Sequence, residues 1–524
     1  MSSGVALRGL WVLVAATLAA APASARAATA PVCGGGRIHC GAIKVLPTPT
    51  PPGTEAAAAP TNGFSAADLA AAYNLDTTRV SNVTVAIVAA YGYSNVESDL
   101  AVYRAQSSLP PCTIASGCLT VLNQNGLPTP LPSQAPADDD WTVLSALSLD
   151  MVSATCPSCK LMLIETPTDA DDGLFTIQAA AAKAGATVII DNWGSIEDAT
   201  VKTLDANFDL PGVSVLASPS AGYDYATYSP NDRGPIFPAS SEHVIAVSDV
   251  ALMKDGSARG WTEKATTISG SGCSTNIALP SFQQQSVTGC GFRATSDLAA
   301  VGDPNTGVNI YDASSGGWQV VGGGGVAVAA GIVALSGHAG VGPSFFYSNP
   351  ALLYDVTLGT NGTCANILCI AGTGWDGPTG NGSLNGRALA ALPVGDAGAP
   401  EDGGHTGGAG GSGASGAAGA AGTSGSAGTS GSAGTSGSAG TSGSAGASGS
   451  AGASGSAGAS GSAGANGGTA GARATGGVAG QGVSTSGGSS GCGCALTSRA
   501  ADLPGTVLVA LAAAGIIRRR RRRS

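Results

Sequence analysis

Charged and aromatic residues are both scarce in this chain. Only 11% of its 524 residues are charged and 5% are aromatic, whereas 82 are glycine. Too few large side chains are present to build cores along the whole length. We therefore expect fewer folded domains than a chain of this length could hold.

Basic residues are scarce and unevenly placed. The chain has 23 lysines and arginines against 33 acidic residues, and six of the 23 form one run, Arg518 to Arg523. Outside that run the chain is strongly acidic, which repels nucleic acid and anionic lipid. The composition therefore indicates no nucleic-acid partner.

The N-terminus has the pattern of a cleaved secretory signal. Arg8 precedes an apolar run from Gly9 to Ala21, and the small residues Ala23 to Ala25 follow it. Exported proteins combine these features before a signal peptidase site. We interpret residues 1–25 as a signal peptide and residues 26–61 as a Pro-rich N-terminal segment.

The C-terminus combines a short apolar stretch with the arginine run. Leu503 to Ile517 would form a helix of roughly 22 Å, a marginal span for roughly 30 Å of bilayer hydrocarbon. The arginines after it favour the cytoplasmic side and would stop transfer. We expect a short transmembrane helix that anchors the exported chain at least transiently.

A GCGC motif precedes this stretch, so that residues 491–524 contain a Cys motif, an apolar helix and an Arg cluster in that order. This order resembles the C-terminal sorting tail of myxobacterial surface proteins. The resemblance implies that the tail is cut near the Cys motif and that the protein stays on the cell surface. Cys492 or Cys494 would then be the processing or lipidation site.

The other ten cysteines point to disulfides. Many cysteines and only four histidines in an exported chain are more typical of disulfides than of metal thiolates. The cysteines fall in close neighbours along the chain, and local pairing is the simplest prediction. The pairs would be Cys33–Cys40, Cys112–Cys118, Cys156–Cys159, Cys273–Cys290 and Cys364–Cys369.

Residues 393–490 are rich in glycine, serine and alanine. A six-residue unit, mostly AGTSGS or AGASGS, repeats from Ala421 to Gly468. Such a composition cannot bury a core. We predict a disordered stalk with an r.m.s. reach of roughly 50 Å; silk-like stacking of the repeats is a distant alternative.

Residues 62–392 alternate apolar runs with helical patterns. VTVAIVAAYG, KLMLIET, ATVIIDNWG and GVSVLAS have the continuous apolar character of strands that are buried on both faces. The pattern predicts one α/β domain, in which a parallel sheet is covered by helices on both faces. Active sites in such folds lie at the carboxyl ends of the strands.

Several segments of this domain occur in a familiar order. They include GFSAADLAAAYNL, VAIVAAYGYSNVESDLAVYRAQ, ATCPSCKLMLIE, IFPASSEHVIAVS, GWTEKATTISGSGCS, DPNTGVNIYD and GWQVVGG. Over essentially its whole length the domain resembles the sedolisin family, the serine-carboxyl peptidases. The resemblance implies a subtilisin-like fold and, for an intact member, peptide hydrolysis in acid.

The resemblance also assigns four catalytic positions, and none holds the residue of the family. In GGGG, Gly325 stands at the place of the nucleophilic serine. Leu144 and Ser148 replace the activating Glu and its Asp, and Ser220 lies near the place of the oxyanion Asp. Because glycine has no hydroxyl and a serine needs a base, we predict that no catalytic site is intact.

Neighbouring residues do not restore this site. Asp150 lies two residues beyond Ser148, about 200° around a helix, and should face elsewhere. Asp138 to Asp140 precede the helix and are interpreted as a solvated loop or helix caps. His243 and His338 lack the setting of a Ser-His-Asp triad and are interpreted as structural histidines.

The calcium site that the resemblance implies is kept in the sequence. Asp355 and Val356 would supply a carboxylate and a carbonyl, while Gly372, Gly374 and Asp376 have the Gly-x-Gly-x-Asp spacing. Hard oxygen ligands from two loops suit Ca²⁺. A glycine-rich turn with a solvated Asp is the alternative.

The sequence thus predicts a surface-displayed pseudopeptidase that binds a peptide or protein in the former substrate cleft, by strand addition. Residues 26–61 cannot form the large inhibitory propeptide that the resemblance would require of an active enzyme. One alternative is an active secreted serine-carboxyl endopeptidase that works at acid pH. A second is a structural surface protein.

Overall fold

The computed structural model describes residues 29–33, 37–45, 59–136, 139–219 and 235–393. The strands are β1 Thr29–Pro31, β2 His39–Cys40, β3 Ile43–Val45, β4 Thr84–Ala90, β5 Leu119–Asn123, β6 Lys160–Thr166, β7 Val188–Asp191, β8 Trp193–Ile196, β9 Ser214–Ala217, β10 Ile236–Phe237, β11 Val244–Lys254, β12 Trp261–Ala265, β13 Gly272–Ala278, β14 Phe292–Thr295, β15 Leu298–Val301, β16 Val308–Asp312, β17 Gly317–Gly322, β18 Leu353–Tyr354 and β19 Ser383–Leu384. The helices are α1 Ala66–Ala72, α2 Val96–Gln106, α3 Trp141–Thr155, α4 Asp171–Leu174, α5 Gln178–Lys183, α6 Val201–Leu204, α7 Gln285–Thr288, α8 Gly325–Ser336, α9 Ser344–Ser348 and α10 Gly386–Ala390.

The large sheet has the strand order β18-β19-β15-β11-β9-β7-β4-β6-β5, and β12 pairs with β11. Neighbours from β5 to β19 run in parallel, while β18 and β12 are antiparallel to their partners. The four apolar runs that the sequence analysis identified as strands are β4, β6, β7 and β9. The predicted α/β fold with a parallel sheet is therefore confirmed.

Helices α3 and α8 pack on each other and on the sheet, and both are buried along their whole length. A helix that is buried all round belongs to the core rather than to the surface. The two helices approach closely because α8 is built from small residues. A Cβ atom on Gly331 would lie 2.0 Å from Oγ1 of Thr155, so only glycine fits there.

The disulfide prediction is confirmed. All five local pairs form, and the longest loop that they close separates Cys273 from Cys290 by 17 residues.

Among the described residues no helix is both long and apolar enough to cross a membrane. The predicted signal peptide, the stalk and the apolar stretch from Leu503 to Ile517 lie outside the described residues.

The N-terminal segment is part of the folded structure, which the sequence analysis did not foresee. Strands β1 and β3 form an antiparallel ladder, and β3 pairs with β17. Strand β2 pairs with β8. Residues 29–33 and 37–45 therefore pack on the globular domain, and Ile38 and Ala42 are buried in its core.

Candidate active site

Gly325 is the first residue of α8, three residues after the end of β17. Its backbone N–H donates a hydrogen bond of 3.0 Å to Oδ1 of Asp249. Asp249 is buried within β11. A Cβ atom on Gly325 would lie 2.8 Å from the same carboxylate oxygen and 3.0 Å from the carbonyl oxygen of Ala300. The place where the resemblance expects a nucleophile is therefore closed by a carboxylate.

A second glycine makes room for this carboxylate. A Cβ atom on Gly302 would lie 1.8 Å from Oδ1 of Asp249. Asp249 therefore lies between the backbone of Gly302 and that of Gly325. Asp249 was not predicted as a site residue, although it is an acidic residue within the apolar run VIAVSDVAL.

Leu144 and Ser148 lie on α3, and both side chains are fully buried. Oγ of Ser148 has no hydrogen-bond partner among the described residues. Two apolar residues of α3 lie close to Gly324, because a Cβ atom on Gly324 would lie 3.2 Å from Cδ1 of Leu147 and 3.5 Å from Cγ of Met151. The contact between α3 and the glycine run is therefore apolar.

Asp150 faces away from the glycine run, as expected, and its Oδ2 accepts a 3.0 Å hydrogen bond from the backbone N–H of Tyr311. Burial raises the pKa of Asp150 well above its ordinary value, and Asp99 and Asp312 raise it further by repulsion. Burial also raises the pKa of Asp312. Asp99, Asp150 and Asp312 lie on α2, α3 and β16, respectively. None of the three has a described contact with Gly325.

Two further buried acids lie at the carboxyl ends of parallel strands. Oε1 of Glu165, near the end of β6, accepts a 2.7 Å hydrogen bond from the backbone N–H of Tyr93, and burial raises its pKa to about 7. Asp191, at the end of β7, accepts from the side chain of Gln178, and burial raises its pKa to about 8. Both acids could exchange protons near neutral pH, yet neither stands beside a nucleophile in the described contacts.

The glycine run also contacts the N-terminal segment. Nδ2 of Asn192 donates a 2.9 Å hydrogen bond to the carbonyl of Gly323, and the N–H of Gly41 donates a 2.8 Å bond to the carbonyl of Asn192. A Cβ atom on Gly323 would lie 1.8 Å from the carbonyl oxygen of Gly41. Residues 39–44 thus lie directly against the loop that leads into α8.

The residues of the predicted calcium site lie together. The N–H of Gly374 donates to Oδ2 of Asp355 at 3.0 Å, and the N–H of Gly372 donates to Oδ2 of Asp376 at 2.8 Å. Oγ1 of Thr379 contacts the carbonyl of Val356 as well as Oδ1 of Asp376.

Charge at this site favours a cation. Asp376 is fully buried, and burial raises its pKa to about 7, with a further rise from the negative charge of Asp355. A divalent cation between the two loops would relieve that repulsion, because hard carboxylate and carbonyl oxygens are the ligands of Ca²⁺. The residues present therefore fit the ion.

A different group of possible metal ligands surrounds His243. Asp205, Glu242 and His243 each offer one ligand atom, and these atoms lie within 4.8 Å of one another. Asp205 and Asp209 are each 3.7 Å from a ring nitrogen of His243.

His338 is buried against Phe345, and burial lowers its pKa. Ser220, Cys492 and Cys494 lie outside the described residues.

The parallel sheet, the paired helices α3 and α8 and the glycine loop before α8 define a protease-like domain with a subtilisin-like fold. Pseudomonas sedolisin, a serine-carboxyl proteinase solved in complex with two molecules of pseudo-iodotyrostatin, is similar at 25% identity with a TM-score of 0.52. The match covers 63% of this chain and 97% of that chain.

More distant matches include fervidolysin from Fervidobacterium pennivorans, a keratinolytic enzyme related to subtilisin. Its identity is 15% and its TM-score 0.40, over 68% of this chain and 52% of that chain. MycP1 from Mycobacterium smegmatis matches at 14% identity and a TM-score of 0.35, over 72% and 94% of the respective chains. No family model and no curated protein matches the sequence.

Proposed function

We propose that this chain is a surface-displayed pseudopeptidase: a sedolisin-like domain that has kept the fold of a peptidase and acts by binding a peptide or protein. The contact between Gly325 and Asp249 carries the proposal. Where an intact sedolisin would need a serine hydroxyl, this chain has a glycine without a side chain, and the space that a Cβ atom would enter is bounded by the buried carboxylate of Asp249. A serine hydroxyl cannot act without a base, and neither Leu144 nor Ser148 can supply one.

The rival function is an acid endopeptidase. The test is cleavage of casein by the purified chain between about pH 3 and 8, with calcium present. We expect no cleavage by the wild-type chain. Cleavage that a heat-unfolded sample lacks would overturn the proposal, because another residue would then serve as the nucleophile.

A bound calcium ion would support the fold rather than the chemistry. Asp355 and Asp376 would provide carboxylates, and Val356, Gly372 and Gly374 would provide carbonyl oxygens. The ion would join the loop after β18 to the loop before β19. It would thereby hold the edge of the large sheet.

Display on the cell surface would follow from the two ends of the chain. The signal peptide would export the chain, and the tail from Cys492 onward would attach it to a membrane. The acidic composition and the five disulfides suit an extracellular location. A structural role on the surface is the second candidate, and it would be favoured if no peptide binds the cleft.

A further inference from the structure

A hairpin, residues 358–371, joins the two halves of the predicted calcium site. It begins two residues after Val356 and ends directly before Gly372. At its base the N–H of Ala371 donates a 3.2 Å hydrogen bond to the carbonyl of Gly359. The hairpin therefore holds the two stretches of chain that would carry the calcium ligands side by side.

A disulfide closes the tip of this hairpin. Cys364 and Cys369 are bonded and lie five residues apart. Just before the tip, the N–H of Asn361 donates a 3.0 Å hydrogen bond to the carbonyl of Cys369, and Thr360 lies opposite Ile370 in an antiparallel bridge. The disulfide therefore restricts the conformations that the turn between the paired stretches can adopt.

The disulfide-closed loop, residues 364–369, folds back on the second half of the calcium site. The N–H of Gly377 donates a 2.9 Å hydrogen bond to the carbonyl of Ile367. A Cβ atom on Gly377 would lie 2.7 Å from both Cα and the carbonyl oxygen of Leu368. Gly377 directly follows Asp376, so the loop packs against the backbone that positions this carboxylate.

The domain fixes the other side of the hairpin. Oγ of Ser271, just before β13, donates a 2.6 Å hydrogen bond to the carbonyl of Leu368. Nδ2 of the buried Asn361 donates a 2.7 Å bond to the carbonyl of Ser269. Because these contacts hold the hairpin on one side, opening of the disulfide-closed loop would displace the side that contacts Gly377.

Solvent can reach one end of this disulfide. Cys364 is half-buried, whereas Cys369 is buried, and Asn366 and Ile367 between them are exposed. A thiolate would therefore attack Sγ of Cys364, forming a mixed disulfide and releasing Cys369, which takes up a proton. The second thiol of a dithiol then releases Cys364 and closes the disulfide of the reductant. Two electrons and two protons pass from the dithiol to the protein.

We propose that the disulfide between Cys364 and Cys369 is a thiol-sensitive switch of calcium affinity. While it is closed, it holds the loop of Asp376 in place opposite Asp355, and its reduction by a dithiol weakens calcium binding. The two cysteines are positioning residues and do not contact the ion. This inference rests on the calcium site of the proposed function and adds a means of regulating it.

The first measurement is the calcium Kd of the full chain by isothermal titration calorimetry, after calcium has been removed with a chelator. We expect the double variant Cys364→Ala/Cys369→Ala to bind calcium about 10- to 100-fold more weakly than the wild-type chain, the usual effect of removing groups that orient metal ligands. Asp376→Asn should show no binding at this site and serves as the reference for its complete loss.

The double variant Cys112→Ala/Cys118→Ala is the matched control. Its disulfide spans six residues against five, and it likewise joins a buried to a half-buried cysteine. It lies just before β5, at the edge of the large sheet opposite to β18 and β19. Both double variants should be less stable in urea, but only the variant that lacks Cys364 and Cys369 should lose calcium affinity. A merely structural disulfide would not change the Kd.

Gly377→Ala tests the contact with both cysteines in place, and it gives an answer even if the double variant does not fold. The added Cβ atom would lie 2.7 Å from the backbone of Leu368 and should displace the loop. We expect calcium binding to weaken about tenfold. Gly342→Ala is the control, since nothing lies within 4 Å of a Cβ atom there, and it should bind calcium like the wild-type chain.

Reduction of the wild-type chain tests the switch itself. Samples are treated with increasing concentrations of dithiothreitol, free thiols are alkylated with iodoacetamide and mapped by mass spectrometry, and the calcium Kd of each sample is measured. The Kd should rise in step with the alkylation of Cys364 and Cys369. The same treatment should leave the Kd of Cys364→Ala/Cys369→Ala unchanged.

Three results would overturn the inference. They are wild-type calcium affinity in Cys364→Ala/Cys369→Ala, an equal loss of affinity in the Cys112→Ala/Cys118→Ala control, and a Kd that follows the alkylation of another cysteine pair. A wild-type chain that binds no calcium would overturn the calcium site and the inference together. Casein cleavage by the wild-type chain would overturn the pseudopeptidase proposal alone, because the calcium affinities do not depend on it.

Discussion

Oδ1 of Asp249 accepts a hydrogen bond from the backbone N–H of Gly325 at 3.0 Å, and a Cβ atom on Gly325 would approach the same oxygen to 2.8 Å. The two residues are 76 positions apart in the sequence. A serine at position 325 would therefore bring its Cβ atom against a buried carboxylate. The glycine at position 325 and the buried acid belong to one local arrangement.

Gly325→Ser should lower the free energy of unfolding by about 1 to 3 kcal/mol, because the core around Asp249 has no room for the added side chain. In an Asp249→Ala background the same substitution should cost less, which gives a measurable coupling energy. The measurement is urea denaturation of the wild-type chain, the two single variants and the double variant.

Gly256→Ser is the matched control, since nothing lies within 4 Å of a Cβ atom there. It should leave the stability nearly unchanged. Additive effects of Gly325→Ser and Asp249→Ala would contradict a direct contact between the two positions.

The buried carboxyl of Asp191 should make the domain less stable as the pH rises. In the folded state burial raises its pKa to about 8, well above the ordinary value of an aspartic acid. Between about pH 4 and 8 the unfolded chain has lost this proton while the folded chain keeps it. The free energy of unfolding therefore falls as the pH rises through this range, by on the order of a few kcal/mol in total.

Asp191→Asn should reduce this pH dependence, because an amide does not ionise and can still accept from Gln178. Urea midpoints at pH 5 and pH 8 are the measurement. Asp255→Asn is the control: Asp255 is exposed, and hydrogen bonds from Ser257 lower its pKa, so that its carboxyl titrates below this range. An unchanged pH slope in Asp191→Asn would contradict the assignment.

Calcium should stabilise the chain through Asp376. At a calcium concentration 100 times the Kd, an ion that binds only the folded state adds about 2.7 kcal/mol to the free energy of unfolding. We expect a chelator to lower the Tm of the wild-type chain and to leave the Tm of Asp376→Asn unchanged. Thermal unfolding with and without chelator provides the measurement.

Glu242→Gln is the control for this experiment, because Glu242 belongs to the other possible metal group. It should keep the full effect of the chelator. If Glu242→Gln abolishes the effect and Asp376→Asn retains it, the ion binds beside His243 and the predicted calcium site is wrong.

Much of this protein could be predicted from local sequence. A buried parallel strand needs a continuous apolar run, so β4, β6, β7 and β9 were visible from composition alone. The disulfides were predictable because each pair lies within a short stretch of chain. Gly372, Gly374 and Asp376 are close in the sequence, but the contact of Gly374 with Asp355 spans 19 residues and needed the fold.

Only the tertiary structure decided which distant segments meet. An apolar run predicts a strand but not its neighbours, since backbone hydrogen bonds carry no sequence specificity. The pairing of β2 with β8 was therefore not readable from the Pro-rich N-terminal segment. Similarly, the sequence shows glycines at positions 302 and 325 but not what lies beside them. Only the fold places Asp249 between the two glycines. The sequence by itself determined the strands, the helices and the residues at positions 144, 148 and 325, while long-range packing determined which side chains lie beside them.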